Sequence, residues 1–206
     1  MRLRRPRTSL SGGGQTEEAA ARLLREAGAL LEGHFQLASG RHSGVYVEKF
    51  RLLERPPQTD ALCRMIADWA RERSPQVVAG PTTGGIVVSY EVARHLGLRS
   101  IFAEKAEGVG PNGSVGRSFQ RGFTIAPGER VLVVDDVLTT GGSVRDVMDA
   151  VRAMGGQPLA VAVLIDRSGG RTDFGVPSFS CLALDLPSYD PHDCPLCEQD
   201  LPLTIT

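Results

Sequence analysis

The sequence is short of lysine: it contains two, Lys49 and Lys105, although lysine and arginine together number 23. A general preference for arginine accounts for the imbalance. The two side chains are not equivalent, however, so each remaining ammonium group is a candidate for a specific role. Lys49 is expected to be a solvated strand residue. A net charge of −1 excludes a general attraction to nucleic acid, and any anion binding must come from local clusters.

Long apolar runs are also missing, because no segment approaches the length of a membrane span. The basic start of the chain lacks the apolar stretch of a secretory signal. We expect residues 1–15 to form a flexible leader, with a transit peptide or a weak polyanion contact as alternatives. Cysteines are few, and since nothing suggests secretion, disulfides are not expected. The sequence therefore predicts a cytoplasmic protein that binds neither membrane nor nucleic acid.

Short apolar segments alternate with helical patterns over most of the chain, and its length suits one domain. This alternation predicts an α/β fold with a doubly wound, mainly parallel sheet over residues 16–206. The first part, 16–55, departs from the alternation and predicts a small N-terminal hood subdomain. Strands are expected at 34–38, 45–49, 77–80, 101–103, 122–125, 131–134, 159–165 and 179–184, and helices at 16–33 (ending at Gly33), 62–69, 85–96 and 144–154.

The most informative segment is Val131–Ser143, in which four apolar residues precede two acids and a small-residue loop. It predicts a buried strand that presents Asp135 and Asp136 at its carboxyl end, followed by Val137 and Leu138. The next five residues, Thr139, Thr140, Gly141, Gly142 and Ser143, open a helix, where backbone amides and the helix dipole favour phosphate. The pattern indicates a phosphorylated sugar as ligand. A capped helix start is the structural alternative, but two acids at the end of a buried strand are costly without a ligand.

Two further loops are candidates for the same ligand. Residues 80–85 also join a strand to a helix, and Thr82, Thr83 and Gly84 suit a second anion site, with a plain turn as the alternative. The segment 105–121 is long, rich in glycine and holds Lys105. A loop of this length in a compact domain is often a lid, although an ordinary exposed hairpin is the other interpretation.

Several of these segments together resemble a known family. The segment VLVVDDVLTTGGSV is similar to the phosphoribosyl-diphosphate signature of type I phosphoribosyltransferases. The segment 33–43, GHFQLASGRHS, resembles the N-terminal segment of the orotate phosphoribosyltransferases. Lys105 stands where that family has its lid lysine, and Asp166-Arg167 matches its Asp-Arg pair. The tail DCPLC, residues 193–197, recurs in one branch. The resemblance covers about residues 16–203.

The resemblance implies transfer of a 5-phosphoribosyl group from 5-phosphoribosyl 1-diphosphate to orotate in pyrimidine synthesis. It implies that Asp135 to Ser143 hold the ribose phosphate, with Asp136 also counted as catalytic. Thr82, Thr83, Gly84 and Lys105 are implied to hold the diphosphate, and Lys105 to act in catalysis. Thr139 and Arg167 are implied to bind orotate. It further implies Mg²⁺, bound mainly through the sugar diphosphate, and a homodimer whose lid is shared between subunits.

The chain departs from the family pattern in its diphosphate half. Ala38 and Gly84 stand where many members have lysine, and Glu104 precedes Lys105 where arginine is common. Arg117 and Arg121 are possible sources of the missing charge. Two alternatives to orotate transfer remain open: a purine or other phosphoribosyltransferase, and a non-catalytic regulator that senses the sugar diphosphate.

The cysteine pair at Cys194 and Cys197 has His192 nearby and suggests a metal site. A single C-x-x-C lacks half of a four-ligand zinc site, which would need partners from elsewhere. The tail is therefore expected to fold without metal, and no metal ligand is assigned. His34 and His42 could contact substrate or be structural.

Overall fold

The computed structural model describes residues 14–37, 39–106 and 116–206, which form five α-helices and ten strands. The helices are α1 (Gly14–Glu26), α2 (Lys49–Leu53), α3 (Pro56–Arg71), α4 (Gly84–Leu96) and α5 (Gly142–Ala153), with a 3-10 turn at Pro191–Asp193. The strands are β1 (Leu30–Gln36), β2 (His42–Val47), β3 (Val77–Pro81), β4 (Arg99–Lys105), β5 (Arg117–Phe119), β6 (Arg130–Leu138), β7 (Gln157–Asp166), β8 (Ser178–Ala183), β9 (Ser188–Tyr189) and β10 (Leu203–Ile205).

The main sheet has six strands in the order β5-β4-β3-β6-β7-β8. All neighbouring pairs from β4 to β8 are parallel, and only β5 is antiparallel, on the edge beside β4. Helices α1, α3 and α4 pack on one face and α5 on the other. The doubly wound, mainly parallel sheet predicted from the alternation of elements is confirmed.

Side chains of β6 show why this sheet needs helices on both faces. Leu132 and Val134 enter the core formed with α1, α3 and α4, whereas Val131 and Val133 enter the core formed with α5. All four are fully buried. Because successive residues of a strand point to opposite faces, a continuous apolar run marks a strand covered on both sides.

A second sheet lies at the N-terminal hood, with the order β10-β1-β2-β9. The hairpin β1–β2 is its centre, and both outer strands come from the C-terminal tail. The sequence predicted that residues 16–55 contain much of the hood, and the contribution of β9 and β10 is a finding of the structure.

The predicted helix ending at Gly33 is wrong at its C-terminal end. Helix α1 ends at Glu26, and Gly28 (φ +65°) supplies the left-handed residue that lets the chain turn. The amide of Gly28 donates to Arg25 and that of Ala29 to Leu24. Leu30 then pairs with Val47 across β1–β2. Leucines at helical spacing thus continue into a strand, because the hairpin supplies partners for their backbone groups.

Three smaller expectations are also corrected. Lys49 begins helix α2, where Glu48 caps the helix by accepting from the Phe50 amide, and is not in a strand. No strand forms at 122–125, because β4 takes Arg117–Phe119 as its antiparallel neighbour. Residues 1–13 of the predicted leader lie outside the described residues, and Gly14 and Gln15 belong to α1.

None of the helices in the described part of the chain is long and apolar enough to cross a membrane.

Candidate active site

The two acids of the central motif lie inside β6 and not after it. The strand continues to Leu138, since that residue pairs with Asp166 of β7, which corrects the predicted strand end at Val134. Asp135 is 7% exposed and Asp136 is 4% exposed. Oδ1 of Asp135 accepts from the Asp136 amide at 2.8 Å, and Oδ1 of Asp136 accepts from the Val137 amide at 2.6 Å. Both carboxylates are therefore fixed by the strand that carries them.

Burial and the adjacent carboxylate act together on Asp135. Burial, and then the charge of Asp136, raise the pKa of Asp135 to about 7. The site thus holds a carboxyl group that gains a proton near neutral pH, which is typical of a group arranged for a ligand and not for stability.

Lys49 compensates the charge of Asp136. Its Nζ lies 2.9 Å from Asp136 Oδ2, a buried oxygen that no hydrogen bond of good geometry reaches among the described residues. Helix α2 places Lys49 there directly after the hood hairpin. The sequence pattern around Lys49 does not predict an ion pair with Asp136, although the scarcity of lysine is a signal of a specific role.

Gly84 lies against the same oxygen. A Cβ atom on Gly84 would be 1.7 Å from Asp136 Oδ2 and 3.1 Å from Leu53 Cδ1. No side chain fits at position 84 while Asp136 keeps this conformation. The family lysine that the sequence lacks at Gly84 therefore has no room here, and the ammonium that approaches Asp136 is that of Lys49.

The loop 139–143 has the form of an anion site. Thr139, Thr140, Gly142 and Ser143 are exposed, and α5 begins at Gly142, so the free amides of a helix N-terminus lie in the loop. Gly141 has φ +81°, and a Cβ there would be 2.9 Å from Thr172. The side chain of Arg145 supports the loop by donating to the Thr140 carbonyl at 2.8 Å. The predicted phosphate loop thus keeps its amides accessible.

Arg117 joins the two predicted anion loops. Its Nη1 donates to Thr82 Oγ1 at 3.0 Å and to the Ala103 carbonyl at 3.2 Å. Its Nη2 donates to Ser143 Oγ at 3.5 Å. A guanidinium group therefore lies between residues 82–84 and residues 139–143, where the sequence could only suggest Arg117 or Arg121 as a source of charge.

Arg121 does not share that position. It forms a bidentate ion pair with Glu104, with distances of 2.9 and 2.8 Å. That contact lowers the pKa of Glu104, chiefly through the hydrogen bonds. Glu104 occupies the position where the sequence comparison expected arginine. Its negative charge and the positive charge of Arg121 neutralise each other on the hairpin.

The predicted lid, 105–121, begins at the end of β4 and returns through β5. Lys105 pairs with Arg117 across β4–β5, and the Ala106 amide donates to the Gly116 carbonyl at 2.8 Å. Lys105 is exposed at the end of β4. Residues 107–115, which would form the tip, lie outside the described residues. The segment 105–121 thus has a hairpin stem next to the anion loops.

Arg167 follows the strand next to the acids. Its amide donates to the Leu138 carbonyl at 2.8 Å, so Thr139 and Arg167 leave the sheet side by side. The turn is organised by the buried Asp166, which accepts from the amides of Ser168 at 2.6 Å and Gly170 at 3.1 Å. Within the described part of the chain, the guanidinium of Arg167 makes no hydrogen bond or ion pair, which leaves it available to an anion.

The loop of the hood hairpin is held by the C-terminal tail. Arg41 donates through Nε to Ser188 Oγ at 2.9 Å, and the Leu37 amide donates to the Arg41 carbonyl at 2.8 Å. Ser43 Oγ donates to the Val45 and Pro187 carbonyls. Ala38, where the family often has lysine, lies outside the described residues.

The tail cysteines meet two histidines of the hood. His34 and His42 lie within 4.8 Å of Cys194 and Cys197, measured between their possible ligand atoms. His192, the histidine that the sequence suggested, is exposed on the 3-10 turn and is not in this cluster. Sequence reasoning could not find the pair His34 and His42, because the sheet brings them to residues about 160 positions away.

Comparison with known proteins agrees with this geometry. Residues 51–181, more than half of the chain, match the family model of the phosphoribosyl transferase domain. The fold is therefore that of a phosphoribosyltransferase, and the acid pair of β6 and the loop after it lie within the matched residues.

The relatives narrow the class. The chain is 48% identical over 180 residues to an orotate phosphoribosyltransferase of Thermotoga maritima, covering 87% of this chain and 92% of the relative. It is 48% identical over 187 residues to the orotate phosphoribosyltransferase of Pelotomaculum thermopropionicum, covering 91% and 95%. The crystal structure of the Aeropyrum pernix orotate phosphoribosyltransferase superposes with a TM-score of 0.66 at 29% identity, covering 80% and 93%. The chain belongs to the orotate phosphoribosyltransferase family.

Proposed function

We propose that this chain transfers the 5-phosphoribosyl group from 5-phosphoribosyl 1-diphosphate to N1 of orotate, giving orotidine 5′-phosphate and diphosphate. One observation carries the proposal: the acid pair of β6 and the loop 139–143 lie beside Arg167, which follows β7 and whose guanidinium makes no hydrogen bond or ion pair within the described residues. The first half of that arrangement suits a ribose phosphate, and the second suits the carboxylate of an acidic base. The names of the 48% identical relatives agree with it.

The ribose-phosphate end is bound by backbone and carboxylates. Amides of residues 139–143 at the start of α5 hold the 5′-phosphate, supported by the helix dipole. Val137 and Leu138 set the approach of the chain to that loop. Asp135 and Asp136 accept hydrogen bonds from the ribose hydroxyls, and bound hydroxyl donors replace the solvation that burial removed.

The diphosphate end is bound by Thr82, Thr83, the amide of Gly84 and the cationic groups of Arg117 and Lys105. Arg117 already donates to Thr82, so its guanidinium is positioned before substrate arrives. A planar guanidinium suits two diphosphate oxygens at once. The acid pair fits a hydrated Mg²⁺ that enters with the sugar diphosphate, and the ion, when bound, neutralises charge on the leaving group.

Catalysis on this arrangement is positioning and electrostatics. Bond breaking at the ribose carbon 1 moves negative charge to the diphosphate, where Lys105 and Arg117 stabilise it. The buried Asp136 lies under the ribose, so its charge favours the positive carbon as the bond to diphosphate breaks. Arg167 and Thr139 orient orotate so that N1 reaches that carbon, and closure of the hairpin over the site excludes water.

We further propose a homodimer in which the hairpin of one subunit reaches the other. Val87 and Tyr90 lie one turn apart on α4 and are exposed, Tyr90 by 65%, and Phe50 of α2 is exposed as well. Val87 and Tyr90 line a groove of about 590 Å³ together with Leu53 and Pro56. Large exposed apolar side chains in one patch are typical of an interface. Light scattering of the native protein and of Tyr90→Glu should show a dimer and a monomer, respectively.

The activity is tested by one assay with four bases. Purified chain, 5-phosphoribosyl 1-diphosphate and Mg²⁺ are incubated with orotate, hypoxanthine, adenine or uracil. Consumption of orotate alone supports the proposal. Consumption of a purine would replace it with another phosphoribosyltransferase, and binding of the sugar diphosphate without any turnover would favour the regulator. The cytoplasmic location expected from the sequence stays a prediction for cell fractionation.

A further inference from the structure

Four side chains of zinc-ligand type converge away from the proposed active site. His34 of β1 and His42 of β2 are two register positions apart on one face of the hairpin, since Gln36 pairs with His42. Cys194 and Cys197 come from the tail that follows β9. His34, His42 and Cys194 are buried, at 4%, 5% and 2% exposure, and Cys197 is exposed at the rim. The hairpin and the tail thus each contribute two groups to one cluster.

The distances fit one tetrahedral ion. Bonds of about 2.05 Å to nitrogen and about 2.3 Å to sulfur place tetrahedral N and S ligands about 3.6 Å apart. The Nε2 atom of His34 is 3.7 Å from Sγ of Cys194 and 3.7 Å from Sγ of Cys197. Nδ1 of His42 is 3.3 Å from Sγ of Cys197 and 2.9 Å from Nε2 of His34. The three N–S distances are within about 0.3 Å of the tetrahedral value, whereas the N–N distance is about 0.4 Å shorter than the roughly 3.3 Å of two tetrahedral nitrogen ligands, so the imidazoles would separate slightly on binding the ion.

The tautomer of His34 is already set for coordination. Its Nδ1 lies 2.9 Å from the Leu201 carbonyl, which can only accept, so Nδ1 carries the proton and donates. Nε2 is therefore left with a lone pair, which lies 2.9 Å from His42 Nδ1 and 3.7 Å from each cysteine sulfur, and it can bind the ion once the proton of His42 moves to its other ring nitrogen. A ligating histidine usually has its other ring nitrogen bonded to a carbonyl or carboxylate in this way. Leu201 follows Cys197 by four residues, so the same turn supplies both a thiol and this supporting carbonyl.

We propose that His34, His42, Cys194 and Cys197 bind one structural Zn²⁺ ion that links the hood hairpin to the C-terminal tail. Two thiolates and two imidazoles are a preferred zinc set, and four protein ligands leave no open position for chemistry. Binding converts two thiols to Zn–S bonds and releases two protons to solvent, while both imidazoles bind as neutral groups. The proposal departs from the expectation that the tail folds without metal, because the two ligands that a C-x-x-C pair lacks are supplied by β1 and β2.

A second cluster of possible metal ligands is formed by Asp60, Glu91 and His95, and we do not propose a metal site there. The guanidinium of Arg94 contacts the carboxylates of both Asp60 and Glu91. A cation already occupies the space between the acids, so these residues form an ion-pair network on α3 and α4.

The first test measures metal in the full chain. The protein is expressed with added Zn²⁺, purified without chelator and analysed by mass spectrometry for metal content. One zinc per chain is expected. After removal of zinc under reducing conditions, titration with Co²⁺ should give the intense visible bands of a tetrahedral sulfur-ligated ion, and titration with Zn²⁺ should release about two protons per ion.

Variants assign the ion to the four residues. Cys197→Ser is the main variant because its side chain is at the surface and its loss leaves no buried cavity. It should weaken zinc binding by at least about 100-fold in a chelator competition. His34→Gln tests the other half of the site. His192→Gln, a histidine two residues from Cys194 but outside the cluster, should bind zinc as the native chain does, and circular dichroism checks that each variant is folded.

Three outcomes would overturn the proposal. One is a reduced native chain that binds neither Zn²⁺ nor Co²⁺. Another is a Cys194–Cys197 disulfide whose reduction produces no metal affinity. The third is zinc that stays bound to Cys197→Ser and His34→Gln but is lost when His95 is replaced, which would assign the ion to the second cluster.

Discussion

Lys49 and Asp136 form an ion pair of 2.9 Å between the start of α2, which follows the hood hairpin, and the carboxyl end of β6. The carboxylate is buried and the lysine side chain is 38% exposed, so the pair lies at the floor of the site and not on the open surface. It joins two parts of the chain that the sequence presented as separate: the hood and the phosphoribosyl-binding motif.

Replacing Lys49 with methionine should leave Asp136 as an uncompensated buried charge. We expect a loss of about 1 to 3 kcal/mol in the free energy of unfolding, measured by urea denaturation. We also expect the KM for the sugar diphosphate to rise about tenfold, because the free carboxylates repel it. Lys49→Arg keeps the charge and is the matched control. Equal behaviour of the two variants would mean that the charge of Lys49 is unimportant.

Asp135 should make stability depend on pH. Its pKa is about 7 in the folded chain and close to the ordinary 3.8 when unfolded. The unfolded chain therefore loses its proton first, and the stabilisation present below pH 4 is lost as the pH rises to about 7, by up to about 1.4 kcal/mol per pH unit. Asp135→Asn should remove this slope. Unfolding free energies of both proteins between pH 4 and 8 give the comparison, and parallel profiles would contradict it.

Arg117 should support the diphosphate and not orotate. Arg117→Ala removes the guanidinium between Thr82 and Ser143, and we expect the KM for the sugar diphosphate to rise about 10- to 100-fold, the loss of one charge-assisted contact of about 1.5 to 3 kcal/mol. Arg121→Ala, on the same hairpin but paired with Glu104, is the control and should change little. A larger rise in KM for Arg121→Ala than for Arg117→Ala would indicate that Arg121, and not Arg117, binds the diphosphate.

Lys105 should act on the departing charge. Lys105→Ala is expected to lower kcat by about 100- to 1,000-fold, as for loss of a group that stabilises transition-state charge, with little change in the unfolding free energy, because the side chain is exposed. Steady-state rates and thermal denaturation measure the two effects. Near-normal turnover would remove Lys105 from the mechanism.

Arg167 should select the base. Because its guanidinium is free in the described structure and follows Asp166 beside Thr139, Arg167→Ala should raise the KM for orotate about 10- to 100-fold. The KM for the sugar diphosphate should stay within about twofold. Ser168→Ala, at the next position of the same turn, controls for disturbance of the loop. Equal losses for both substrates would argue against an orotate contact.

Local patterns were sufficient where one strand and the loop after it make the site. Asp135, Asp136 and residues 139–143 fall within one short stretch, 135–143, and Arg167 directly follows the neighbouring strand β7 of a parallel sheet that the alternation predicted. Lys49 and Gly84 could not be found in this way, because their roles depend on a single oxygen of Asp136 in three dimensions. The helix prediction was wrong at Leu30 and Leu31. Leucine at helical spacing is also compatible with a strand, and here the backbone of both residues pairs with β2.

The second sheet has a consequence for how the protein is made. The edge of β1 is covered by β10 and the edge of β2 by β9, and both covering strands follow β8 in the chain. On the ribosome, the main sheet can therefore assemble while the β1–β2 hairpin still has two open edges, which are sites for incorrect pairing between chains. Arg41 also lacks Ser188 until then. A chain released after β8 would carry the loops of the main sheet with both edges of the β1–β2 hairpin uncovered, so we expect such a chain to aggregate more readily than the full chain.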